Sequence, residues 1–223
     1  MLFEIKKILS LRIYELGGIL FDVNGFKFNL HAEHPEAPLS PNYVDLRGIF
    51  RNCGMRKMIA GLMMPQVMEM RPDRLVDLPE SATPLIATLS DMTGIEMISL
   101  RSEALKGEAK SHGAKKIING DFTEGQTCLL IDDVVSSFAF TKFKAIPILR
   151  SLGLKLLPTV CVVIDREEGG KEKLAKEGFE LKSLLGLHSD ITEYCINASL
   201  IPEKIHRMSV KFAKAAKKYS LES

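Results

Sequence analysis

Five apolar segments recur between residues 74 and 187, with helix-type or polar segments between them. They read RLVDL, IEMISL, TCLLIDD, LKLLPTVCVVID and FELKSLLGL. Strands that alternate with helices form a mostly parallel sheet, because each parallel connection requires a crossover that places a helix on a sheet face. The sequence therefore predicts the α/β class, with a central, mostly parallel sheet flanked by helices.

The N-terminal residues predict a helix followed by a β-hairpin. Apolar positions recur at helical spacing from Leu2 to Tyr14, and the pair Gly17–Gly18 ends that pattern. The segment ILFDVNGFKFNL then alternates around Asn24–Gly25, a dipeptide typical of tight hairpin turns. We expect the turn at these two residues.

Two further helices are predicted from periodicity. Residues 55–70 have helical spacing and are rich in methionine, which indicates a stripe facing the core rather than a metal site. Residues 200–223 predict a basic amphipathic helix, and packing against the chain's own core is favoured over a nucleic-acid or membrane surface. The expected apolar stripe of this last helix contains Ile205, Met208, Phe212 and Ala215.

Composition indicates an ordinary globular chain with one domain over residues 1–223. The net charge is +2 and 26% of the residues are charged, so no field strong enough to attract nucleic acid is expected. The four cysteines are widely spaced and form no C-x-x-C motif, which indicates reduced thiols and a cytoplasmic protein. No apolar run has the length needed to span a bilayer, so we expect a soluble protein.

Polar residues that directly follow the predicted strands are the candidates for chemistry, since ligands of such sheets bind at the carboxyl ends of strands. Asp132 and Asp133 follow the segment TCLLI and could accept hydrogen bonds from ribose hydroxyls; equally, they could cap the next helix. Asp165 and Arg166 follow TVCVVI. The guanidinium could grip a carboxylate or imide edge, or Arg166 could be a surface residue paired with a neighbouring glutamate.

The long polar segment after IEMISL is rich in cations. A mobile cationic loop suits a lid that closes over a polyanion, whereas a solvated charged surface is the alternative interpretation. The cations concerned are Lys106, Lys110, His112, Lys115 and Lys116.

Three segments together resemble the orotate phosphoribosyltransferase family, both in their order and in their residues. They are SPNYVDLRG, EAKSHGAKKIINGDFTEGQTCLLIDDVV and VVIDREEGGKEKLAKEGFELKSLL. The resemblance covers the chain from Tyr14 to about Leu187. It implies the type I phosphoribosyltransferase fold, with residues 1–50 as a small hood and residues 200–223 as a C-terminal helix. It also implies transfer of ribose 5-phosphate from phosphoribosyl pyrophosphate (PRPP), which carries Mg²⁺, to orotate.

The resemblance assigns roles residue by residue. Asp132 and Asp133 match the acidic pair that binds the ribose hydroxyls, and Arg166 matches the arginine that recognises orotate. Ser136 matches a threonine beside orotate, and the segment 136–141, which includes Ser137 and Thr141, stands at the phosphate turn. Lys110 and His112 match lid residues that reach pyrophosphate across a homodimer interface, and Arg101 matches a basic residue at the base of the lid. No residue is expected to bind metal directly.

Several positions depart from the family pattern. Phe138 stands at a glycine position of the phosphate turn, and Pro147 lies in the following helix, so we expect this helix to kink or to begin late. Glu80 stands where glycine or a basic residue is usual, and His31 replaces a lysine. We expect residues 136–141 not to form the family's phosphate turn, and Phe138 or Phe140 to pack against Phe143 and Ile146.

Two functional hypotheses follow. The first is an orotate phosphoribosyltransferase that tolerates an altered phosphate turn. The second is a family member with weakened or lost catalysis that serves as a nucleotide-binding regulatory or scaffolding subunit. Binding of nucleic acid through the basic tail is disfavoured, because no aromatic platform accompanies the lysines.

Overall fold

The computed structural model describes residues 2–28, 30–106, 117–136 and 140–222. The strands are β1 Ile19–Phe26, β2 Ser40–Val44, β3 Arg74–Asp77, β4 Met97–Leu100, β5 Ile118–Asn119, β6 Thr127–Val135, β7 Lys155–Asp165 and β8 Glu180–Gly186. The helices are α1 Leu2–Glu15, α2 Leu30–Glu33, α3 Arg47–Arg51, α4 Cys53–Met70, α5 Thr83–Thr93, α6 Ser102–Lys106, α7 Phe140–Ser151, α8 Gly170–Lys176, α9 Glu193–Asn197 and α10 Glu203–Glu222. A π-helical turn, Leu187–Thr192, connects β8 to α9.

Six strands form the central sheet in the order β5-β4-β3-β6-β7-β8. All neighbours are parallel except β5, which runs antiparallel to β4 at one edge. All five apolar segments are strands, so the predicted α/β class is confirmed. The two-residue strand β5 was missed, because it lies in a polar stretch too short to show periodicity.

Helices cover both faces of the sheet and bury a separate apolar cluster on each. On one face, Ile59 and Met63 of α4 and Leu85 of α5 join the cluster. On the other face, Ala145 and Leu149 of α7 pack on the sheet. The methionine-rich helix therefore faces the core, as its spacing predicted. Among the described helices, none has the length and apolarity to cross a membrane.

The predicted tight turn at Asn24–Gly25 is wrong. Both residues lie inside β1, at an irregularity between Phe21 and Phe26 in its antiparallel pairing with β2. Gly25 has φ +77°, and a Cβ there would lie 2.5 Å from the Leu39 Cβ. The glycine thus serves a β-bulge beside the partner strand, and β1 reaches β2 through α2 instead.

The C-terminal helix α10 packs on the N-terminal strand pair, as expected. Its buried positions differ partly from the predicted stripe: Met208 and Ala215 are only half-buried. The Asn42 amide of β2 donates to the Ser209 hydroxyl over 3.2 Å. The fully or nearly buried side chains of α10 are Ile205, Ser209, Phe212, Ala213 and Ala216.

Strand register aligns the polar strand ends at one edge of the sheet. Asp77 of β3 pairs with Ser99 of β4 and with Ile131 of β6, one residue before Asp132. Val135 of β6 pairs with Asp165 of β7. The carboxyl ends of four adjacent strands therefore meet where this class of sheet binds its ligands.

Candidate active site

Asp132 is bound on both carboxylate oxygens by the protein itself. Its Oδ2 lies 2.6 Å from the Lys142 ammonium, and its Oδ1 accepts the Asp133 backbone N–H over 2.8 Å. Lys142 also donates to the Val134 carbonyl over 3.0 Å and is only 3% exposed. The first acid of the pair thus forms a buried ion pair with α7, which positions it and neutralises its charge.

Asp133 has a different environment, because successive side chains of a strand point to opposite faces. Asp132 points toward α7, so Asp133 points away from it. One carboxylate oxygen of Asp133 accepts the Val134 N–H over 2.7 Å. Burial, followed by the charge of Asp132, raises the pKa of Asp133 to about 7. Among the described residues no cation pairs with Asp133, and a hydrogen bond with the Asp132 side chain also raises its pKa.

A polar cavity of about 360 Å³ lies at the ends of β3 and β4, and β3 is the strand next to β6. Asp77 at its base is 2% exposed, and its Oδ2 accepts hydrogen bonds from the hydroxyls of Thr83 (2.7 Å) and Ser99 (3.0 Å). Its Oδ1 has no hydrogen-bond partner in the described part of the chain. Burial raises the pKa of Asp77 above its ordinary value, with a smaller contribution from Asp132.

The rim of this cavity carries both signs of charge. Arg101 lines it, and its Nε donates to the Asn119 side-chain oxygen over 2.8 Å. Glu80 lines the same cavity, as expected from its place after β3, and the Ser102 hydroxyl lies 3.5 Å from its Oε1. The cavity can therefore bind a phosphate group at Arg101, provided that the nearby carboxylates are neutralised.

Arg166 is buried at 7% exposure and is not the surface residue that one interpretation predicted. Its Nε donates to buried Glu168 over 2.9 Å, and its Nη2 lies 3.4 Å from the Ser40 hydroxyl and 3.3 Å from the Asn42 side-chain oxygen. Its guanidinium carbon lies 4.7 Å from the centre of the Phe28 ring. Within the described residues, Nη1 forms no hydrogen bond and is the edge left for a ligand.

His31 serves the N-terminal hood itself. Its Nδ1 accepts the Phe28 N–H over 2.9 Å, which assigns the proton to Nε2, 3.2 Å from the Pro38 carbonyl. The ring stacks on Phe212 of α10 at 6.4 Å between centroids. The loop and the helix therefore use both nitrogens and the face of this imidazole.

The phosphate-turn region is described only at its two ends. Ser136 is half-buried at the end of β6, and a Cβ on Gly170 would lie 2.6 Å from its carbonyl oxygen. α7 continues through Pro147 from Phe140 to Ser151. Ser137, Phe138, and the side chains of Phe140 and Thr141 lie outside the described residues, so the predicted phosphate turn and phenylalanine packing stay predictions. Lys110 and His112 lie outside them as well.

Comparison with known proteins places the chain in a family. No family model matches it. The orotate phosphoribosyltransferase of Aquifex aeolicus is 32% identical over 149 residues, which are 67% of this chain and 80% of that protein. The chain belongs to the orotate phosphoribosyltransferase family. The corresponding Pyrococcus horikoshii protein is 30% identical over 173 residues, 77% of this chain and 89% of that protein.

Longer relatives and solved structures agree with this orotate phosphoribosyltransferase assignment. Bovine uridine 5'-monophosphate synthase is 33% identical over 170 residues, and the chain spans 34% of that protein's length. The structure of Leishmania donovani UMP synthase superposes with a TM-score of 0.76 at 25% identity, covering 93% of this chain and 42% of that one. The predicted type I phosphoribosyltransferase fold and the transferase class are therefore confirmed.

Several site residues were not found from the sequence. Asp77 follows an apolar run in the sequence as Asp132 does, so the same criterion would have identified it. Lys142 gave no such signal, because lysines on helices are rarely buried unless they are paired. Ser40 and Asn42 approach Arg166 from more than 120 residues away in the chain.

Proposed function

We propose that this chain transfers ribose 5-phosphate from PRPP to orotate, giving orotidine monophosphate and pyrophosphate. The observation that carries the proposal is the difference between two adjacent acids. Asp132 is held by Lys142, whereas Asp133 has no cation partner within the described residues, and the neighbouring strand β3 ends at a polar cavity lined by Arg101. Family membership supports the same reaction.

The transition state of this transfer carries positive charge on ribose and negative charge on the departing pyrophosphate. Asp133 accepts hydrogen bonds from the ribose hydroxyls and stabilises the positive charge, while Asp132 holds the strand end in place. Ser136, Ser137 and Thr141 bind the 5-phosphate. This assignment makes Asp133 the catalytic carboxylate and Asp132 a positioning residue.

The substrate that suits the polar cavity is the Mg²⁺ complex of PRPP. Asp77 and Glu80 line this cavity, so bare pyrophosphate would meet like charge there. In the described part of the chain, no group of three or more His, Cys, Asp or Glu residues is placed to hold a metal ion. In this proposal the phosphate oxygens of PRPP would supply most of the Mg²⁺ ligands, and Arg101 would bind the pyrophosphate.

Orotate meets the Nη1 edge of Arg166 at the end of β7. The ion pair with Glu168, the hydrogen bonds to β2 and the Phe28 ring fix the guanidinium plane before a ligand arrives. A fixed donor loses little entropy on binding, which favours a planar acceptor such as orotate. Residues 1–50 act in this proposal as the hood that carries β2 over the site.

Lys110 and His112 form the lid, and they act on the pyrophosphate of the partner subunit in a homodimer. A closed two-fold pair is the commonest oligomer, which agrees with the family resemblance. We assign the protein to the cytoplasm, since all four cysteines are free thiols and three of them are buried. Residues 1–223 act as one unit, with α10 joined to the hood by the Asn42–Ser209 hydrogen bond.

Steady-state kinetics with orotate and Mg²⁺–PRPP test these roles. Asp133→Asn should lower kcat by about a hundredfold or more, because it removes the charge that stabilises the ribose cation. The matched control is Asp121→Asn, an exposed change before β6 that should leave kcat within about twofold. Equal kcat in the Asp133 variant and the unmodified protein would refute the assignment. Tight PRPP binding without turnover would support the regulatory alternative.

A further inference from the structure

A second cavity lies between the π-helical turn and α10, next to Glu167. Its volume is about 380 Å³, within the range of small-molecule sites, and it shares no lining residue with the cavity at the strand ends. Its main lining residues are His188, Ser189, His206, Val210, Ala213 and Lys214.

Two histidines that line the cavity, His188 and His206, carry buried ring nitrogens that the protein leaves without partners. Three ring nitrogens have no hydrogen-bond partner among the described residues: Nδ1 and Nε2 of His188, and Nδ1 of His206. All three atoms are buried. His188 is only 9% exposed. A buried donor or acceptor without a partner is unfavourable, so turning these rings toward a ligand in the cavity that supplies hydrogen-bond partners would be favoured.

The charges around the cavity favour an uncharged ligand. The Glu167 carboxylate already accepts the backbone N–H groups of His188 (2.6 Å) and Ser189 (2.9 Å). Glu193 and Lys214 line the cavity with opposite charges. Burial lowers the pKa of His188 to about 4, so its ring is neutral at physiological pH and offers one N–H donor and one acceptor.

The walls favour a flat ligand. The methyl groups of Val210 and Ala213 and the two imidazole rings line the cavity, and apolar walls with a few polar atoms are typical of sites for ring compounds. We propose that this cavity binds a small, uncharged, planar heterocycle with adjacent N–H and C=O groups, the edge chemistry of a nucleobase. This site is separate from the proposed transferase site.

Side-chain ¹⁵N NMR of the histidines tests the proposal, with uracil and uridine as probes. Saturating orotate is present throughout, so that the strand-end site is occupied. Uracil should shift the ring signals of His188 and His206 in a saturable way, with Kd below about 1 mM. A response to uridine as well would identify a nucleoside site, and a response to uracil alone a free-base site; both support the proposal.

Two variants and one control locate the binding. His188→Phe keeps a flat ring but removes both nitrogens, and should weaken uracil binding at least about tenfold. Val210→Phe fills the cavity from α10 and should abolish binding even if the first variant fails to fold. His34→Phe changes a histidine outside the cavity, stacked on Tyr219, and should leave Kd unchanged.

Three results would overturn the proposal. The first is no saturable shift of His188 with either probe up to about 10 mM. The second is a uracil response that is seen only in a parallel titration without orotate, which would place uracil at the strand ends. The third is an unchanged Kd in the folded Val210→Phe variant.

Discussion

The buried pair of Lys142 and Asp132 makes a strong prediction about stability. Their side chains are 3% and 10% exposed, and their charged atoms lie 2.6 Å apart. Lys142→Met keeps an unbranched chain of similar length but leaves the Asp132 carboxylate buried without a cation, beside a second acid. Breaking one side of such a pair costs about 3–5 kcal/mol.

Urea unfolding followed by circular dichroism measures this cost. With a denaturant slope of about 3 kcal/mol per M, the midpoint should fall by about 1–1.7 M in Lys142→Met. Asp132→Asn alone should also destabilise, because it leaves the ammonium unpaired. In the double variant both charges are absent, and the introduced amide oxygen can still accept the Asp133 N–H. Its free energy of unfolding should therefore return to within about 1 kcal/mol of the unmodified protein.

Lys144→Met is the matched control, since Lys144 is an exposed lysine of the same helix. It should change the free energy of unfolding by no more than about 0.5 kcal/mol. The argument fails if Lys142→Met is equally mild, or if the two single changes simply add in the double variant. Either result would mean that the ion pair does not hold the end of β6.

Further predictions concern Asp133, the end of β6 and the lid. Because the pKa of Asp133 is raised to about 7, kcat/KM for PRPP should rise with pH up to about 7 and then level off. The native state binds a proton that the unfolded chain has released, so this group should also lower stability as pH rises from about 4 to 7, and Asp133→Asn should remove both effects. Gly170→Ala places a Cβ 2.6 Å from the Ser136 carbonyl and should destabilise by about 1–3 kcal/mol in urea unfolding, whereas Gly48→Ala, with no atom within 4 Å of its Cβ, should not. Lys110→Ala should lower kcat at least about tenfold while weakening orotate binding far less. Light scattering at micromolar concentration should give a dimer, and mixed Lys110→Ala and Asp133→Asn subunits should regain about a quarter of the activity, since half the dimers then hold one intact site; a monomer, or no recovery on mixing, would contradict a shared site.

The strand ends illustrate what the sequence can predict. An acid that directly follows an apolar run is expected at the carboxyl edge of a parallel sheet, but Asp132 and Asp133 lie within the last four residues of β6, because pairing with β7 extends the strand to Val135. The different environments of Asp132 and Asp133 depend on which face of the sheet each side chain points to and on what covers that face. Lys142 lies on a different element, and nothing in its local pattern distinguishes it from the exposed Lys144.

The hairpin shows a second limit. Asn–Gly is a strong local signal for a tight turn, yet the same positive φ at glycine also serves a bulge within a strand. Here β1 pairs with β2, which begins fourteen residues after Phe26. This pairing makes Asn24–Gly25 a bulge within β1 rather than a turn. For Arg166 the sequence offered both a ligand contact and an ion pair with a neighbouring glutamate. The structure has the ion pair with Glu168, and the ligand contact is a proposal for the remaining edge.

Mass spectrometry of the reaction product tests the central claim most directly. The purified chain is incubated with orotate, PRPP and Mg²⁺, and the base is varied among orotate, uracil and adenine. We expect orotidine monophosphate and pyrophosphate in equal amounts with orotate, at least about a hundredfold faster than any product from uracil or adenine. Absence of orotidine monophosphate from the unmodified protein, or a faster reaction with another base, would contradict the account.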